Sequence, residues 1–267
     1  MSAERVVVNI NGCEAEADAS RPLLEAIREA GISIPTLCYH PALQPYGACR
    51  LCLVEAEWDG RKRMVAACST PPAAGMRVWT GTEDALRARK LSMQLILARC
   101  SGVPGIWEFA AGLGVVDTPF EKKDEDCIQC GLCERVCREL VGRAVISYVG
   151  RGAAREVRSP FGKESDVCIG CEACVAVCPT GKVRSSWAGG RLVMETWDTT
   201  LEIESCPGCG CPYVPKRMLE HLGPKAEEMN SDLSLCPACR RRAAAEKYRY
   251  ATRALSVGAR PLGEREE

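Results

Sequence analysis

The chain has 267 residues, equal numbers of acidic and basic side chains, and 19 cysteines. Zero formal charge gives no overall pull toward nucleic acid or anionic lipid, and no apolar run is long enough to cross a bilayer. The first ten residues lack the apolar core of a secretory signal. The expected location is therefore cytoplasmic and reducing, where cysteines serve as metal-bound thiolates rather than disulfides. With only three Phe, small domains have little core of their own, and metal centres can act as the staples they need.

Val6–Ile10 reads as a strand, Asn11-Gly12 as a hairpin turn and Cys13–Ala17 as the returning strand. Ser20 is expected to cap a helix with Pro22 in its first turn, Leu23, Leu24 and Ile27 on one face, and Gly31 as its stop. Then comes Cys38-x10-Cys49-x2-Cys52-x15-Cys68. Four thiolates in a loop-rich region can hold the two irons of a small cluster, two to each iron. Gly47 suits a loop whose backbone must approach the cluster sulfurs. Buried free thiols and a zinc site are the rival readings. The wide first gap does not look like two zinc knuckles.

Residues Thr82–Arg99 read as an amphipathic helix with Leu86, Met93, Ile96 and Leu97 on one face. Between Cys68 and Cys127 the only cysteine is Cys100, which reads as a packed structural thiol.

An internal repeat follows: Cys127-x2-Cys130-x2-Cys133-x3-Cys137 and Cys168-x2-Cys171-x2-Cys174-x3-Cys178-Pro179. Three cysteines at this spacing wrap one cluster, and the fourth, expected at the start of a helix leading away, reaches the other. The expected pairing is crossed: Cys127, Cys130, Cys133 and Cys178 on one [4Fe–4S] cluster, and Cys137, Cys168, Cys171 and Cys174 on the second. Arg138 stands where the first repeat would carry a proline. Val145–Val149 and the Gly150-Arg151-Gly152 turn read as a hairpin between the repeats.

Cys206-Pro-Gly-Cys209 and Cys236-Pro-Ala-Cys239 form two knuckles 26 residues apart, which read as a four-cysteine zinc ribbon. The gap exceeds the usual ribbon range, and a rubredoxin-like iron site uses the same tetrahedron of sulfurs. Cys211 is a substitute ligand or spare; His221 reads as a surface histidine. From Arg240 the chain is helical and basic (Arg240, Arg241, Arg242, Lys247, Arg249, Arg253), read as a solvated face or a docking helix. Residues 263–267 read as a frayed end.

Three stretches carry a family resemblance: Leu37-Cys38-Tyr39-His40-Pro41, Gly47–Glu55 and Ala67-Cys68-Ser69-Thr70-Pro71. They resemble the plant-type [2Fe–2S] ferredoxin domain, in the version found at the N-terminus of the iron–sulfur subunits of respiratory complex I and of NAD-linked hydrogenases. With the double repeat, the resemblance covers about residues 5–185. It implies an α+β architecture: a β-grasp [2Fe–2S] domain over 1–80, a helical linker over 81–120 and a bacterial-type 2[4Fe–4S] ferredoxin domain over 121–190. The zinc-ribbon-like segment with its basic helix, 191–267, lies outside the resemblance.

In complex I relatives a histidine and three cysteines after the helix bind one more cluster. Here Arg99 stands at the histidine position and Ser101–Phe109 offers no ligand, so that cluster is expected to be absent, which argues against a conventional complex I subunit.

No G-x-G-x-x-G after a strand, no Walker loop and no flavin pattern is visible, so the chain has no evident place for two-electron bond chemistry. Hydride chemistry moves two electrons and iron–sulfur centres one, so a partner's flavin must split the pair. The resemblance implies an electron-transfer subunit of an NAD(P)-linked complex. It would relay electrons between a flavin subunit, facing the [2Fe–2S] end, and a hydrogenase or formate dehydrogenase subunit, with ferredoxin as a further partner if the complex bifurcates electrons. Alternatives are a subunit of another flavin-linked reductase and a stand-alone redox-sensing or nucleic-acid-binding protein.

Overall fold

In the computed structural model, residues 4–228 and 233–257 are described. They form two units. The first runs to Val167 and adds Glu172–Ser185 and Glu195–Asp198; the second comprises Cys168–Cys171, Ser186–Met194 and the chain from Thr199.

The first unit opens on β1 (Arg5–Ile10) and β2 (Cys13–Asp18), paired antiparallel with Ile10 opposite Cys13. Asn11 and Gly12 both take positive φ, 53° and 93°, as the tight turn between twisted strands demands. Helix α1 (Leu23–Glu29) buries Leu23, Leu24, Ala26 and Ile27. Ser20 does not cap it. Its N–H and hydroxyl both donate to Asp18 Oδ1, at 2.8 and 2.6 Å, because a carboxylate two residues back is the nearer partner. The N–H groups of Leu23 and Leu24 donate instead to the carbonyls of Thr70 and Ala67, so the helix start holds the loop around Cys68. Gly31, at φ 77°, ends the helical turn as its sequence position predicts.

Strands β3 (Leu53–Trp58), β4 (Arg61–Ala66) and β5 (Arg77–Trp79) complete a five-stranded sheet in the order β2-β1-β5-β3-β4, parallel only between β1 and β5. The Asp59-Gly60 turn joins β3 to β4 with positive φ at both residues, 53° and 66°. The long gap between Cys52 and Cys68 is therefore a hairpin. Its register sets Leu53 opposite Ala66 and brings both cysteines to one end.

Helix α2 (Glu83–Arg99) is capped by Thr82, whose hydroxyl accepts from the Ala85 N–H. Its buried stripe is Ala85, Arg89, Met93 and Leu97, at four-residue spacing. Leu86, expected on that face, is 46 % exposed, because Ala85 takes the inward position at that turn, in step with Arg89, Met93 and Leu97. Met93 and Leu97 pack with Leu51, Cys100, and Ile106 and Ala110 of α3 (Pro104–Ala111) into a core that also holds Cys38, Cys49, Cys130, Leu132 and Val136.

After Cys130 come α4 (Leu132–Arg135) and a π-helical turn over Val136–Leu140. Strands β6 (Ser147–Val149) and β7 (Glu156–Arg158) form the hairpin expected between the repeats. Helix α5 (Ala173–Ala176) ends just before Cys178.

The second unit carries an antiparallel sheet, β11-β10-β9-β8, from β8 (Ser186–Ala188), β9 (Arg191–Met194), β10 (Thr199–Ser205) and β11 (Pro212–Pro215). Helices α6 (Lys216–Glu228) and α7 (Pro237–Val257) follow. Arg241, Arg242 and Lys247 are exposed on α7, while the side chain of Arg253 and residues 263–267 lie outside the described residues. No helix among the described residues is long and apolar enough to cross a membrane.

Met93→Ala is expected to cost about 2–5 kcal/mol through lost burial and a cavity, whereas Leu86→Ala costs within about 0.5 kcal/mol. Urea unfolding of the anaerobically prepared protein measures both. Equal losses would contradict this placement of the α2 core face.

Candidate iron–sulfur and metal centres

At the end of the β3–β4 hairpin, Cys38, Cys49, Cys52 and Cys68 are all buried. Gly47 lies in the left-handed region at φ 67°, and a Cβ there would meet Ser69 Oγ at 3.4 Å, so its loop packs directly against the segment following Cys68. Arg50, also left-handed at φ 57°, turns the chain between Cys49 and Cys52. Backbone N–H groups point at sulfur: Leu37 to Cys49 Sγ at 3.5 Å and Cys49 to Cys38 Sγ at 3.4 Å. The four thiols also hydrogen-bond among themselves. The Cys38 thiol is pulled down by its bonds with Cys49 and Cys68, and that of Cys52 falls to about 7 beside Cys68. Cys49 and Cys68, the donors in those pairs, are pushed up. A soft donor set of four sulfurs, linked pairwise as Cys49–Cys38–Cys68–Cys52 and receiving backbone N–H bonds, suits a [2Fe–2S] centre.

Cys127, Cys130, Cys133 and Cys178 line a single cavity of about 360 Å3, with Ile128, Gly131, Pro179, Val183 and Trp197 in its wall. The sequence spacing assigned these four to one centre, and the fold brings them together. Burial pushes the thiols of Cys127, Cys130 and Cys133 up, that of Cys130 to about 12. Iron binding must therefore displace protons that the buried thiols hold tightly. The Gln129 N–H donates to Cys127 Sγ at 3.4 Å. Left-handed residues recur at matching places in both repeats: Gln129 and Gly131 at φ 53° and 71°, Gly170 and Glu172 at φ 70° and 56°. A Cβ on Gly131 would lie 2.8 Å from Tyr148 Oη, so any side chain there would have to displace the tyrosine hydroxyl.

The fourth cysteine of each repeat does not start a helix. Cys137 sits in the π-helical turn that continues α4, and Cys178 follows α5. The short helix begins just before the third cysteine of each repeat, and in the first repeat one helical stretch carries both Cys133 and Cys137. The Val145 N–H donates to Cys137 Sγ at 3.3 Å.

Three arginines lie near these centres, and two of them, Arg89 and Arg135, carry no motif signal. Arg89 is 7 % exposed, donates from Nε to the Leu53 carbonyl at 2.8 Å, and feels the charge of Cys52; burial lowers its pKa. Arg99 donates to the Cys127 carbonyl at 2.7 Å and pairs with Glu125, tying the end of α2 to the first ligand of the repeat. Arg135 spans the two ligand loops of this unit, with bonds to the carbonyls of Cys38 and Cys130. Cys100 is fully buried and its thiol is pushed up to about 12 by burial.

In the second unit the sulfurs of Cys206, Cys209, Cys236 and Cys239 all lie within 4.8 Å of one another, the arrangement a tetrahedral metal ion requires. The Cys236 N–H donates to Cys206 Sγ at 3.3 Å, and with the other hydrogen bonds to that sulfur it draws the thiol down to about 6. Cys211 and His221 are not part of the group. Cys211 is exposed, and its carbonyl accepts from the Cys206 N–H at 2.9 Å.

Residues 3–83 match the family of 2Fe–2S iron–sulfur cluster binding domains, and residues 126–182 match the 4Fe–4S dicluster domain family. The chain is thus an iron–sulfur protein built on these two domains. It is homologous to subunits of NAD(P)H-linked oxidoreductases. It is 31 % identical over 232 residues to a subunit of an NADH-quinone oxidoreductase of Rhizobium meliloti, covering 77 % of this chain and 27 % of that protein. It is 32 % identical over 174 residues to the NADPH-Fe(3+) oxidoreductase subunit alpha of Geobacter sulfurreducens, covering 56 % and 20 %. A chain of an NAD+-reducing [NiFe]-hydrogenase in its H2-reduced state is similar in structure, with TM-score 0.52 and 27 % identity, over 58 % of this chain and 75 % of that one. The chain spans about a quarter of the length of the curated relatives it matches, 27 % and 20 % for the two named.

Cys178→Ser is expected to remove the same four-iron EPR signal as Cys130→Ser, while Cys100→Ser leaves iron content unchanged. Loss of different signals by the first two would contradict the shared cavity.

Proposed function

We propose that this chain is the electron-transfer subunit of an NAD(P)-linked oxidoreductase. It relays single electrons between a flavin-bearing, NAD(P)H-oxidising subunit and a hydrogenase catalytic subunit, with formate dehydrogenase as the second candidate for that place. The observation that carries the reading is the convergence of two separate all-cysteine sets within one unit, the [2Fe–2S] quartet and the Cys127–Cys130–Cys133–Cys178 cavity. The hydrogenase likeness supports the choice of partner.

The residues assigned to the [2Fe–2S] cluster are Cys38, Cys49, Cys52 and Cys68, on a sheet we read as a β-grasp. The first [4Fe–4S] cluster takes Cys127, Cys130, Cys133 and Cys178. The second takes Cys137, Cys168, Cys171 and Cys174, an assignment supported by the repeat spacing and the matched dicluster family. When bound, each cluster takes up and gives back one electron at a time. The protein's part is to exclude water from the sulfurs, aim backbone N–H groups at them and fix the surrounding charge, which together set reduction potentials. The C-terminal quartet, Cys206, Cys209, Cys236 and Cys239, is assigned to Zn2+ as a structural staple. We place the whole in the cytoplasm.

Anaerobic purification from native cells, with mass spectrometry of every co-purifying subunit, tests the assembly. A flavoprotein together with a nickel–iron or molybdenum subunit is the expected result; recovery of the chain alone at every ionic strength contradicts it. Metal analysis of the same preparation should find one zinc per chain, lost in Cys236→Ala with the iron retained. Iron in that site instead would favour the rubredoxin-like alternative.

A further inference from the structure

Arg135 is only 3 % exposed. Its Nη1 donates to the Gln44 carbonyl at 2.7 Å, and its Nη2 to the Cys38 carbonyl at 2.7 Å and the Cys130 carbonyl at 3.4 Å. One guanidinium thus bonds the backbone of a [2Fe–2S] ligand and that of a [4Fe–4S] ligand, 97 and 5 residues away in sequence. The Tyr46 ring lies 5.4 Å from its guanidinium carbon, and Nε has no hydrogen-bond partner. None of these contacts is a carboxylate. Glu139, the nearest acid in sequence on the C-terminal side, is engaged elsewhere: it accepts from the Gln44 N–H and from Arg138.

A buried cation without an anionic partner is costly in a protein interior. A cluster held by four thiolates is anionic, so either centre would supply the missing counter-charge. Arg135 lies at the backbone of both. The fork of parallel donors also suits it to fix two loops at once, which a flexible ammonium does less well. The Gln44–Tyr46 stretch is also held to the π-helical turn by the Gln44–Glu139 bond and to the β6–β7 hairpin by the Arg155–Tyr46 and Tyr46–Tyr148 contacts.

We propose that Arg135 is a positioning residue shared by the [2Fe–2S] centre and the first [4Fe–4S] centre. It locks their ligand loops together and holds both potentials up with one buried positive charge. The inference rests on the cluster assignments above.

The test is an EPR-monitored redox titration of the anaerobically purified full chain. Two neutral variants, Arg135→Met and Arg135→Gln, are compared with Arg135→Lys and Arg89→Gln. Methionine fills the space without an unpaired polar group, so one neutral variant should fold even if the other does not. Each neutral variant is expected to lower both midpoints, the reduction equilibrium of each centre falling about tenfold, or about 59 mV for one electron. Arg135→Lys should keep most of both potentials, and Arg89→Gln, beside Cys52, should move the [2Fe–2S] signal alone. A shift confined to one centre, no shift, or equal shifts in the lysine and neutral variants would overturn the inference while the relay reading stands. A wild-type chain without the [2Fe–2S] and [4Fe–4S] signals would overturn that reading, and the inference with it.

Discussion

Four sulfurs can meet around one centre only if the backbone carrying them turns back on itself, and this demand shapes most of the first unit. The β3–β4 hairpin exists between Cys52 and Cys68 and returns the chain to the same end of the sheet. The left-handed residues Gly47, Arg50, Gln129 and Gly131 are where the chain bends inside the ligand loops. Helix α1 directs its first N–H groups to the loop at Cys68 rather than to a side-chain cap. Strain of this kind persists only where the surroundings over-determine it, and here the surroundings are short turns packed on one another with little aromatic mass.

The second constraint is charge. Thiols buried this far resist ionisation, as Cys130 and Cys133 show. The protein meets the anionic state of its ligands with backbone N–H groups and with two arginines, Arg89 and Arg135, buried without a carboxylate partner among the described residues. Interior charge of this sort is weak evidence for stability and better evidence for a bound counter-charge. The core itself reflects it: Cys38, Cys49 and Cys130 pack in the same cluster as Met93 and Leu97, so buried apolar side chains run continuously between the two cysteine sets.

The double repeat and the C-terminal knuckles are legible from the chain alone because two or three residues separate successive cysteines within each, whereas the wide Cys52–Cys68 gap is closed only by the β3–β4 hairpin. The Asn11-Gly12 hairpin and the Thr82–Arg99 helix were legible for similar local reasons. What was not legible depended on tertiary contacts. Ser20 had the chemistry of a cap but sat within reach of Asp18. Leu86 fits the apolar pattern of α2, but the buried stripe runs through Ala85, Arg89, Met93 and Leu97 and leaves it outside. The fourth cysteines were expected at helix starts, yet the short helix begins a turn earlier, after a left-handed residue that spacing does not reveal. Arg135 reads as one more charged residue between two ligand cysteines. Only the approach of Cys38, far away in sequence, shows what it bridges.

On this reading the cysteines of residues 38–178 hold three one-electron centres. Mössbauer spectroscopy of the iron-57-labelled, anaerobically isolated chain tests it most directly. About ten irons per chain are expected, with one fifth of the signal from a [2Fe–2S] centre and four fifths from two [4Fe–4S] centres. A spectrum with one four-iron component, or zinc in place of iron at these cysteines, would contradict it.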